Sequence, residues 1–517
     1  MESVNKMISA QKAVEIIKTG DTVVSEGFVG DNFPEYLAIA LEERFVKTGT
    51  PRDLTLVYVA GQGDGLDKGM NHFAHKGLVK RLIGGHTGLA PKLGKMALEN
   101  KIEAYNFPQG TISHLLRDIA AKRPGSITKV GLKTFVDPRV EGGRVNSITK
   151  ADLVELMTID GEEYLRYKPL PIDIAIIRGT TADTKGNISY EKECLILENL
   201  AAAMAVKNSG GKVIVQVERV AEFGSLPARQ VVIPGILVDH VVEAPQKYHM
   251  QTFAEQYNPA YAGKYRVPVS QVEPLELNTA KIVGRRAAQE IRQGMIVNVG
   301  IGIPEAVPRV ASEEGILDHV TFTVEAGPIG GLPVGGLSFG ATVNMECLIE
   351  EPQMFDFYDG GGLDITFLGM AQIDEKGNNN VSRFGKRFMG CGGFINISQN
   401  SKKVVFMGTF TTTGLKTRIE DGKLIIDQEG EVKKFIKQVE QITFSGELGG
   451  EKGQDVLYIT ERAVFQLTPD GIELIETAPG VDLEKDILGQ MTFKPRISDD
   501  LKKMNPKYFK PQLVGFK

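Results

Sequence analysis

The stretch D173-I-A-I-I-R-G-T-T-A-D-T-K-G-N-I-S189 recurs downstream as D364-I-T-F-L-G-M-A-Q-I-D-E-K-G-N-N-N380. In both copies an aspartate opens an apolar run and an Asp-x-Lys-Gly-Asn segment follows, at an offset of 191 residues. The next apolar run repeats at the same offset, since K212-V-I-V-Q-V matches K403-V-V-F-M-G. Repetition with the order and spacing kept indicates that one folding unit is present twice.

Two upstream segments repeat at larger offsets. I17-K-T-G-D-T-V-V resembles I291-R-Q-G-M-I-V-N at an offset of 274, and L54-T-L-V-Y-V-A-G matches V320-T-F-T-V-E-A-G at 266. Because the offset then falls to 191, the first half holds about 75 residues that the second half lacks. A polar stretch near 245–275 is the expected break, so we predict domains at residues 1–270 and 271–517.

Each half alternates β-branched apolar runs with helix-like segments, such as N199-L-A-A-A-M-A-V-K-N-S-G, which ends at glycines before the next run. That alternation is typical of parallel sheets covered by helices. The sequence therefore predicts an α/β fold of two related open domains from an internal duplication. Their sheets should be mostly parallel, and the active site should lie between them.

Composition excludes several functional classes. The net charge of −5 gives no general attraction to nucleic acid or to an anionic membrane, and no run of about 18 apolar residues suggests a membrane span. The three cysteines (Cys194, Cys347 and Cys391) show no CxxC spacing, and the seven histidines form no metal-binding motif. We expect a cytoplasmic protein without a metal, a nucleic-acid partner or a membrane partner.

The two halves differ where chemistry could have been added. Glu325 stands where the first half has Val59, and Gly392 and Gly393 stand where it has Ala201 and Ala202. A glutamate beside a buried strand is costly unless it is paired or used, although a solvated rim position is the ordinary alternative for a lone glutamate. A carboxylate, with a reference pKa of about 4.3, can attack an activated acyl carbon without a general base.

Two glycine-containing turns could bind a ligand or could serve packing alone. G300-I-G-I-P-E lies between a strand-like run and a helix-like segment, where N–H groups favour phosphate. The pair Gly392 and Gly393 could donate to an oxyanion, or could allow a helix to pack closely.

Several motifs together resemble the family I coenzyme A transferases, in the acetate/propionate branch, over nearly the whole chain. They are V324-E-A-G-P-I-G-G, G390-C-G-G-F-I-N-I, F107-P-Q-G, G131-L-K-T-F-V-D-P-R and A478-P-G-V-D-L-E-K-D-I-L-G-Q-M-T-F-K-P. The resemblance implies transfer of coenzyme A between short-chain acyl-CoA and free carboxylates, through an acyl-glutamyl anhydride and a glutamyl-CoA thioester. Acyl-CoA would be a substrate, with no tightly bound cofactor, and the protein would be a homo-oligomer, with a tetramer suggested.

The resemblance also assigns roles to residues. Glu325 would be the nucleophile, and Gln109 with the backbone of Gly392 or Gly393 would bind the oxyanion. The coenzyme A contacts would come from Gly300, Ile301, Gly302, Ile303 and Pro304. A small acyl pocket would be lined by glycine and short apolar residues around Gly335 and Gly336.

Other functions stay open at this point. An acyl-CoA hydrolase would use water as the acceptor, whereas a ligand sensor or regulatory subunit would not need Glu325. A dinucleotide-dependent oxidoreductase is the weakest alternative, because its glycine fingerprint is absent. The preferred acid is not determined, and a methylene is worth only about 1–3 kcal/mol, so activity across C2–C4 acids is expected.

Overall fold

The computed structural model describes residues 6–268 and 274–515. Two large sheets form, one from each part of the chain, and helices cover their faces. The predicted domain boundary between residues 270 and 271 lies outside the described residues and stays a prediction. Among the described residues, no helix combines the length and the apolar character needed to cross a bilayer.

The N-terminal sheet has seven strands, and all neighbouring pairs are parallel. In spatial order they are His240–Glu243, Lys212–Val217, Ile174–Arg178, Thr22–Ser25, Leu54–Tyr58, Val79–Gly84 and Glu103–Asn106. Smaller strands, which pair mostly antiparallel, lie outside this sheet: Ser126–Thr128, Val154–Ile159, Glu162–Tyr167, Thr181–Asp183, Ile188–Ser189, Arg219–Ala221 and Val231–Ile233.

The C-terminal sheet has ten strands around a parallel centre. In spatial order they are Cys347–Leu348, Pro328–Ile329, Thr321–Thr323, Ile296–Val299, Ile365–Gly369, Lys403–Met407, Asp455–Ile459, Ala463–Thr468, Gly471–Thr477 and Arg496–Lys503. The five strands from Thr321–Thr323 to Asp455–Ile459 pair in parallel. Short strand pairs lie outside it, the longest being the hairpin of Lys416–Glu420 and Lys423–Gln428.

Ten α-helices occur in the described residues. Those of the N-terminal part are Ala10–Glu15, Glu35–Thr48, Pro91–Leu98, Gln109–Ala120 and Asn199–Asn208. Those of the C-terminal part are Thr279–Ala288, Ala306–Glu313, Glu351–Asp359, Phe394–Asn400 and Gly446–Glu451. The apolar core lies between these helices and the two sheets, whose central strands are buried. The predicted α/β fold with mostly parallel sheets is confirmed.

The repeated sequences form the same local structures in both halves. Asp183 accepts hydrogen bonds from the backbone N–H groups of Lys185 and Asn187 and from the Asn187 amide. Asp374 receives the same three bonds from the residues 191 positions downstream of those donors. The repeated Asp-x-Lys-Gly-Asn segment is therefore a structural turn, in which the aspartate side chain accepts hydrogen bonds from its own loop.

The two halves diverge directly after the strand that precedes Val59 or Glu325. In the N-terminal sheet the next strand, Val79–Gly84, runs parallel to Leu54–Tyr58. In the C-terminal sheet the chain reverses at once, and Pro328–Ile329 pairs antiparallel to Thr321–Thr323. Glu325 thus lies in a tight reversal at the carboxyl end of a buried strand.

Candidate active site

A cavity of about 250 Å³ lies between the carboxyl ends of the strands of both sheets. The N-terminal half contributes side chains and backbone from the loops after four of its strands: Phe28, Val29, Gly61, His86, Leu89 and Gln109. The C-terminal half contributes Gly300, Ile301, Glu325, Phe339, Leu368, Gly369, Val381, Met389, Gly390, Cys391, Gly392, Gly393, Phe394 and Ile397. The cavity therefore brings together Glu325, Gln109, Gly392 and Gly393, whose catalytic roles stay predictions.

Glu325 is held at the cavity wall by a rigid turn. The N–H of Gly327 donates to the carbonyl oxygen of Val324 over 3.0 Å, which closes the chain reversal around the glutamate. Gly327 has φ +125°, and a Cβ there would lie 2.2 Å from the carbonyl oxygen of Ile349, so only glycine fits. The Glu325 side chain is 8% exposed, and its Oε2 has no hydrogen-bond partner among the described residues.

Burial changes the proton affinity of Glu325. Loss of hydration raises the pKa of this carboxyl to about 7, although hydrogen bonds with its own backbone N–H and with Asn298 oppose the shift. The pKa of Glu325 therefore lies near neutrality, whereas the reference value of about 4.3 holds for a solvated glutamate. A weakly solvated carboxylate with a free oxygen is a better nucleophile than a paired one.

A buried hydrogen-bond network fixes Asn298 beneath Glu325. The Asn298 amide donates to the Tyr358 hydroxyl over 3.3 Å and accepts from the Thr366 hydroxyl over 2.9 Å. Tyr358 in turn donates to Thr323 Oγ1 over 2.7 Å, and Thr323 donates to the carbonyl oxygen of Val297 over 3.0 Å. Each member has its polar atoms engaged, so Asn298 is oriented before any substrate arrives.

The glycine loop, residues 390–393, faces Glu325 from the same half. Gly392 has φ +51°, and its N–H donates to the carbonyl oxygen of Gly85 over 2.8 Å. Its own carbonyl oxygen accepts from the backbone N–H of Gln109 over 2.9 Å, which ties the two halves together. In residues 6–268 and 274–515 the N–H of Gly393 has no acceptor, so of the two glycines Gly393 has the N–H available to a ligand.

Gln109 brings a side-chain amide from the other half. It is the first residue of the helix Gln109–Ala120 and is 2% exposed. Its Nε2 donates to Glu351 Oε1 over 2.9 Å. Since a primary amide has two N–H donors, this bond leaves one donor for the cavity that Gln109 lines.

The structure places only part of the segment predicted to contact coenzyme A at the cavity. Gly300 and Ile301 line the cavity, whereas Gly302, Ile303 and Pro304 lie outside its lining. The N–H of Gly302 donates to Glu305 Oε1 over 2.9 Å, within the turn itself. This N–H, which the sequence suggested for a phosphate, is thus already bound to a carboxylate.

The cavity also contains groups that the sequence did not single out. His86 lines it, and burial lowers the pKa of its imidazole to about 4, so this ring is neutral at physiological pH. Phe28, Val29 and Phe339 supply apolar walls. Gly335 and Gly336 are absent from the lining of this cavity, so their expected place at the acyl pocket stays a prediction. Nothing in the local sequence marks His86, because its neighbours form an ordinary loop.

Glu325→Gln is expected to stabilise the protein at high pH. The folded-state pKa is about 7 against an ordinary value of 4.5 for glutamate, so the stability associated with this proton is complete below about pH 4.5 and is lost as the pH rises through 7. Glutamine stays neutral, and the variant should gain up to about 3 kcal/mol above pH 8. Thermal unfolding of both proteins at pH 5 and pH 8 measures the difference. A melting temperature at pH 8 no higher than that of the wild type would contradict the shifted pKa.

Comparison with known proteins places this geometry in a family. The sequence profile of the family described as Coenzyme A transferase matches residues 7–244. The chain is 48% identical to caffeate CoA-transferase of Acetobacterium woodii, over 99% of this chain and 98% of the relative. It is 46% identical to acetate CoA-transferase YdiF of Escherichia coli K12, over 99% of this chain and 96% of the relative.

Solved structures agree with the sequence relatives. The apoenzyme of acyl-CoA transferase YdiF from Escherichia coli O157:H7 superposes with a TM-score of 0.96 at 44% identity, over 100% of this chain and 98% of that one. A thioester complex of the same enzyme with CoA gives a TM-score of 0.94 at 45% identity, over 99% and 97% of the chains. The chain therefore belongs to the family I coenzyme A transferases, and it is an enzyme that transfers coenzyme A between acyl-CoA and carboxylates.

Proposed function

We propose that the enzyme transfers coenzyme A between short-chain acids, with acetate and propionate as typical partners, in a ping-pong reaction through Glu325. The observation that carries the proposal is that one cavity joins a buried carboxylate with an unpartnered oxygen to two backbone or amide donors from facing loops. The thioester complex known for YdiF supports a covalent route, since the two enzymes share 45% of their sequence.

The first half-reaction consumes the acyl-CoA. The Glu325 carboxylate attacks the thioester carbonyl, the carbon–sulfur bond breaks, and an acyl-glutamyl anhydride and a CoA thiolate form. The thiolate then attacks the glutamyl carbonyl, which releases the first acid as a carboxylate and leaves a glutamyl-CoA thioester. The free energy of the thioester bond is kept throughout, so no ATP is required.

The second half-reaction retraces these steps with the acceptor. A carboxylate attacks the glutamyl thioester and expels the CoA thiolate, giving a new anhydride. The thiolate then attacks the acyl carbonyl of this anhydride, and the products are the new acyl-CoA and the free Glu325 carboxylate. Every addition passes through a tetrahedral oxyanion, for which the Gln109 amide and the Gly393 N–H are the proposed donors.

Coenzyme A is too large for the cavity, which we assign to the acyl group and the thioester. Gly300 and Ile301 are the proposed contacts for the adjoining part of coenzyme A, because they line the cavity and Ile301 is exposed on its other side. Gly302, Ile303 and Pro304 stay candidates for contacts further along the molecule. Assembly as a homo-oligomer and a cytoplasmic location are part of the same proposal.

The apolar walls favour transfer over hydrolysis. Phe28, Val29 and Phe339 leave few polar groups to hold a water molecule beside the anhydride or the glutamyl thioester. Excluding water protects such reactive intermediates. A hydrolase would instead need a group that orients and activates water next to Glu325.

When the enzyme meets propionyl-CoA alone, propionate should be released only stoichiometrically with little free coenzyme A, because the coenzyme stays on Glu325 as the thioester. Acetyl-CoA should form continuously once acetate is added. The measurement follows propionate, free thiol and acyl-CoA species over time, with and without acetate. Intact protein mixed with propionyl-CoA and then treated with borohydride should carry a reduced side chain at Glu325, located by peptide mass spectrometry.

Two outcomes would overturn the proposal. Multiple turnovers of coenzyme A release without any added carboxylate would make the protein a hydrolase. Reduction at a residue other than Glu325 would remove this glutamate as the covalent site. Parallel assays with acetate, propionate, butyrate and caffeate test the short-chain preference, which a faster reaction with caffeate would contradict.

A further inference from the structure

Three glutamates that the proposed reaction does not use lie buried behind Gln109. Glu26 follows the strand Thr22–Ser25, Glu198 precedes the helix Asn199–Asn208, and Glu351 begins the helix Glu351–Asp359. All three are 0% exposed. Glu351 binds the Gln109 amide, and Glu198 Oε2 accepts from the hydroxyl of Ser113, one turn further along the same helix.

If all three glutamates were ionised, several of their oxygens would lack a hydrogen-bond donor. Both oxygens of Glu26, Oε1 of Glu198 and Oε2 of Glu351 have no donor among the described residues when all three are treated as carboxylates. An unpaired buried carboxylate costs several kcal/mol or more, so a protein avoids it by retaining a proton. A proton on a carboxyl also turns it into a hydrogen-bond donor, which is what the facing oxygens lack.

The electrostatic surroundings indicate where these protons lie. The pKa values of Glu26 and Glu351 are well above their usual range, because of burial and then repulsion by Glu198. The pKa of Glu198 is raised by burial but is lowered by hydrogen bonds from Glu26, Ser113 and Glu351. Two further carboxyls interact with the group. The charge of Glu325 raises the pKa of Glu351. The partly buried Glu350 interacts with Glu198 and with the nearby cation of Arg117.

A metal site does not explain the group. No set of three or more histidine, cysteine, aspartate or glutamate side chains in the described ranges has a geometry that could hold a metal ion. Simple packing does not explain it either, because three apolar side chains would fill the same space without the desolvation cost.

We propose that Glu26 and Glu351 are neutral acids that both donate to a central Glu198 carboxylate, and that this carboxyl chain positions the Gln109 amide for the oxyanion. The carbonyl oxygen of protonated Glu351 accepts one Gln109 N–H, and its hydroxyl donates to Glu198. The second Gln109 N–H is then directed toward the cavity. This inference rests on the proposed role of Gln109 in transfer.

The chain has an electrostatic effect as well as a geometric one. Only one of the three carboxyls carries a charge, and it is the central one, separated from Glu325 by the neutral Glu351. Ionised Glu351 would repel the Glu325 carboxylate and the oxyanion, because like charges at short range in a poorly solvated site interact strongly. The arrangement therefore gives Gln109 a strong acceptor without placing a negative charge next to the reaction.

The test compares isosteric amides with truncation. Glutamine at position 351 keeps both hydrogen bonds of the neutral acid, since its oxygen accepts from Gln109 and its amide donates to Glu198. Glu351→Gln should therefore lower kcat by no more than about threefold, whereas Glu351→Ala should lower kcat about 10²-fold, the size of a lost oxyanion donor. KM for acyl-CoA should change little in either variant. Glu26→Gln should behave like Glu351→Gln, and Glu198→Gln, which turns the central acceptor into a donor, should lose at least tenfold in kcat.

A mutant cycle separates this inference from the proposed function. If Glu351 acts through Gln109, Glu351→Ala should cost nothing further in kcat when it is added to Gln109→Ala. Unchanged kcat in Gln109→Ala alone would refute the role of Gln109 in transfer. A normal loss in Gln109→Ala with fully additive losses in the double variant would refute the carboxyl chain alone. A 10²-fold loss in Glu351→Gln would show that Glu351 is needed as an anion, which also overturns the chain.

Discussion

Replacing Glu325 by glutamine or alanine is expected to reduce transfer by at least about 10⁴-fold in kcat, the scale seen when a covalent nucleophile is removed. Neither side chain can form the anhydride, and among the described residues Glu325 is the one carboxylate in the lining of the cavity. Glu325→Asp keeps the charge but withdraws it by one methylene, and a misplacement of about 1 Å costs on the order of 10²-fold. The assay is formation of acetyl-CoA from propionyl-CoA and acetate.

Binding and folding controls make this result specific. The three variants should retain binding of coenzyme A, because Glu325 touches only the reacting end of the substrate. They should also melt no lower than the wild type at pH 8, since the buried charge is removed or kept without disturbing the Gly327 turn. Full exchange by Glu325→Ala would refute covalent catalysis at this residue, whatever the structure of the complex.

Much of the architecture could be predicted because the chain repeats its strands. Asp173 and Asp364 occupy matching positions, and each accepts a backbone N–H from the first strand residue of its own half, Thr22 or Ile296. Local patterns of this kind persist when a unit is duplicated, so the order of five corresponding strands is the same in both sheets. The contrast between Val59 and Glu325 then marks the site, because equivalent loops face the same cavity.

The remaining features depend on contacts between distant residues. Glu26, Glu198 and Glu351 are separated by more than a hundred residues each, and no periodicity relates them. The pKa of Glu325 depends on how completely both halves cover it. The bond between Gly302 and Glu305 removes a donor that the glycine pattern had suggested was free. Sequence patterns indicate which backbone can approach a ligand, but hydrogen-bond competition within the fold decides which N–H is available.

The Gly392 N–H is bonded within the fold, whereas among the described residues the Gly393 N–H is not. We therefore expect substitutions at the two glycines to have different effects on kcat. Gly393 has φ −77°, so alanine or valine fits its backbone, but a Cβ there would lie 3.2 Å from both Ile397 Cδ1 and Phe355 Cζ. Valine adds two methyl groups to this contact, and we expect the loop to shift together with the Gly393 N–H rather than the packed Ile397 and Phe355 side chains alone. Gly393→Val is expected to lower kcat by about 10²-fold or more, the cost of a misplaced oxyanion donor, with little change in coenzyme A binding.

Gly392→Ala is the control, because its backbone strain should lower the free energy of unfolding more than it lowers kcat. A Cβ at Gly392 would meet nothing closer than Gln109 Oε1 at 3.5 Å, but its φ of +51° is unfavourable for alanine by about 1 kcal/mol or more. Its N–H is already bound to Gly85, so the variant should lose stability while losing less kcat than Gly393→Val. Steady-state kinetics and thermal unfolding of both variants measure the two effects. The reverse order in kcat would transfer the oxyanion role from Gly393 to Gly392, and the Gly392–Gly85 bond would then have to open during the reaction.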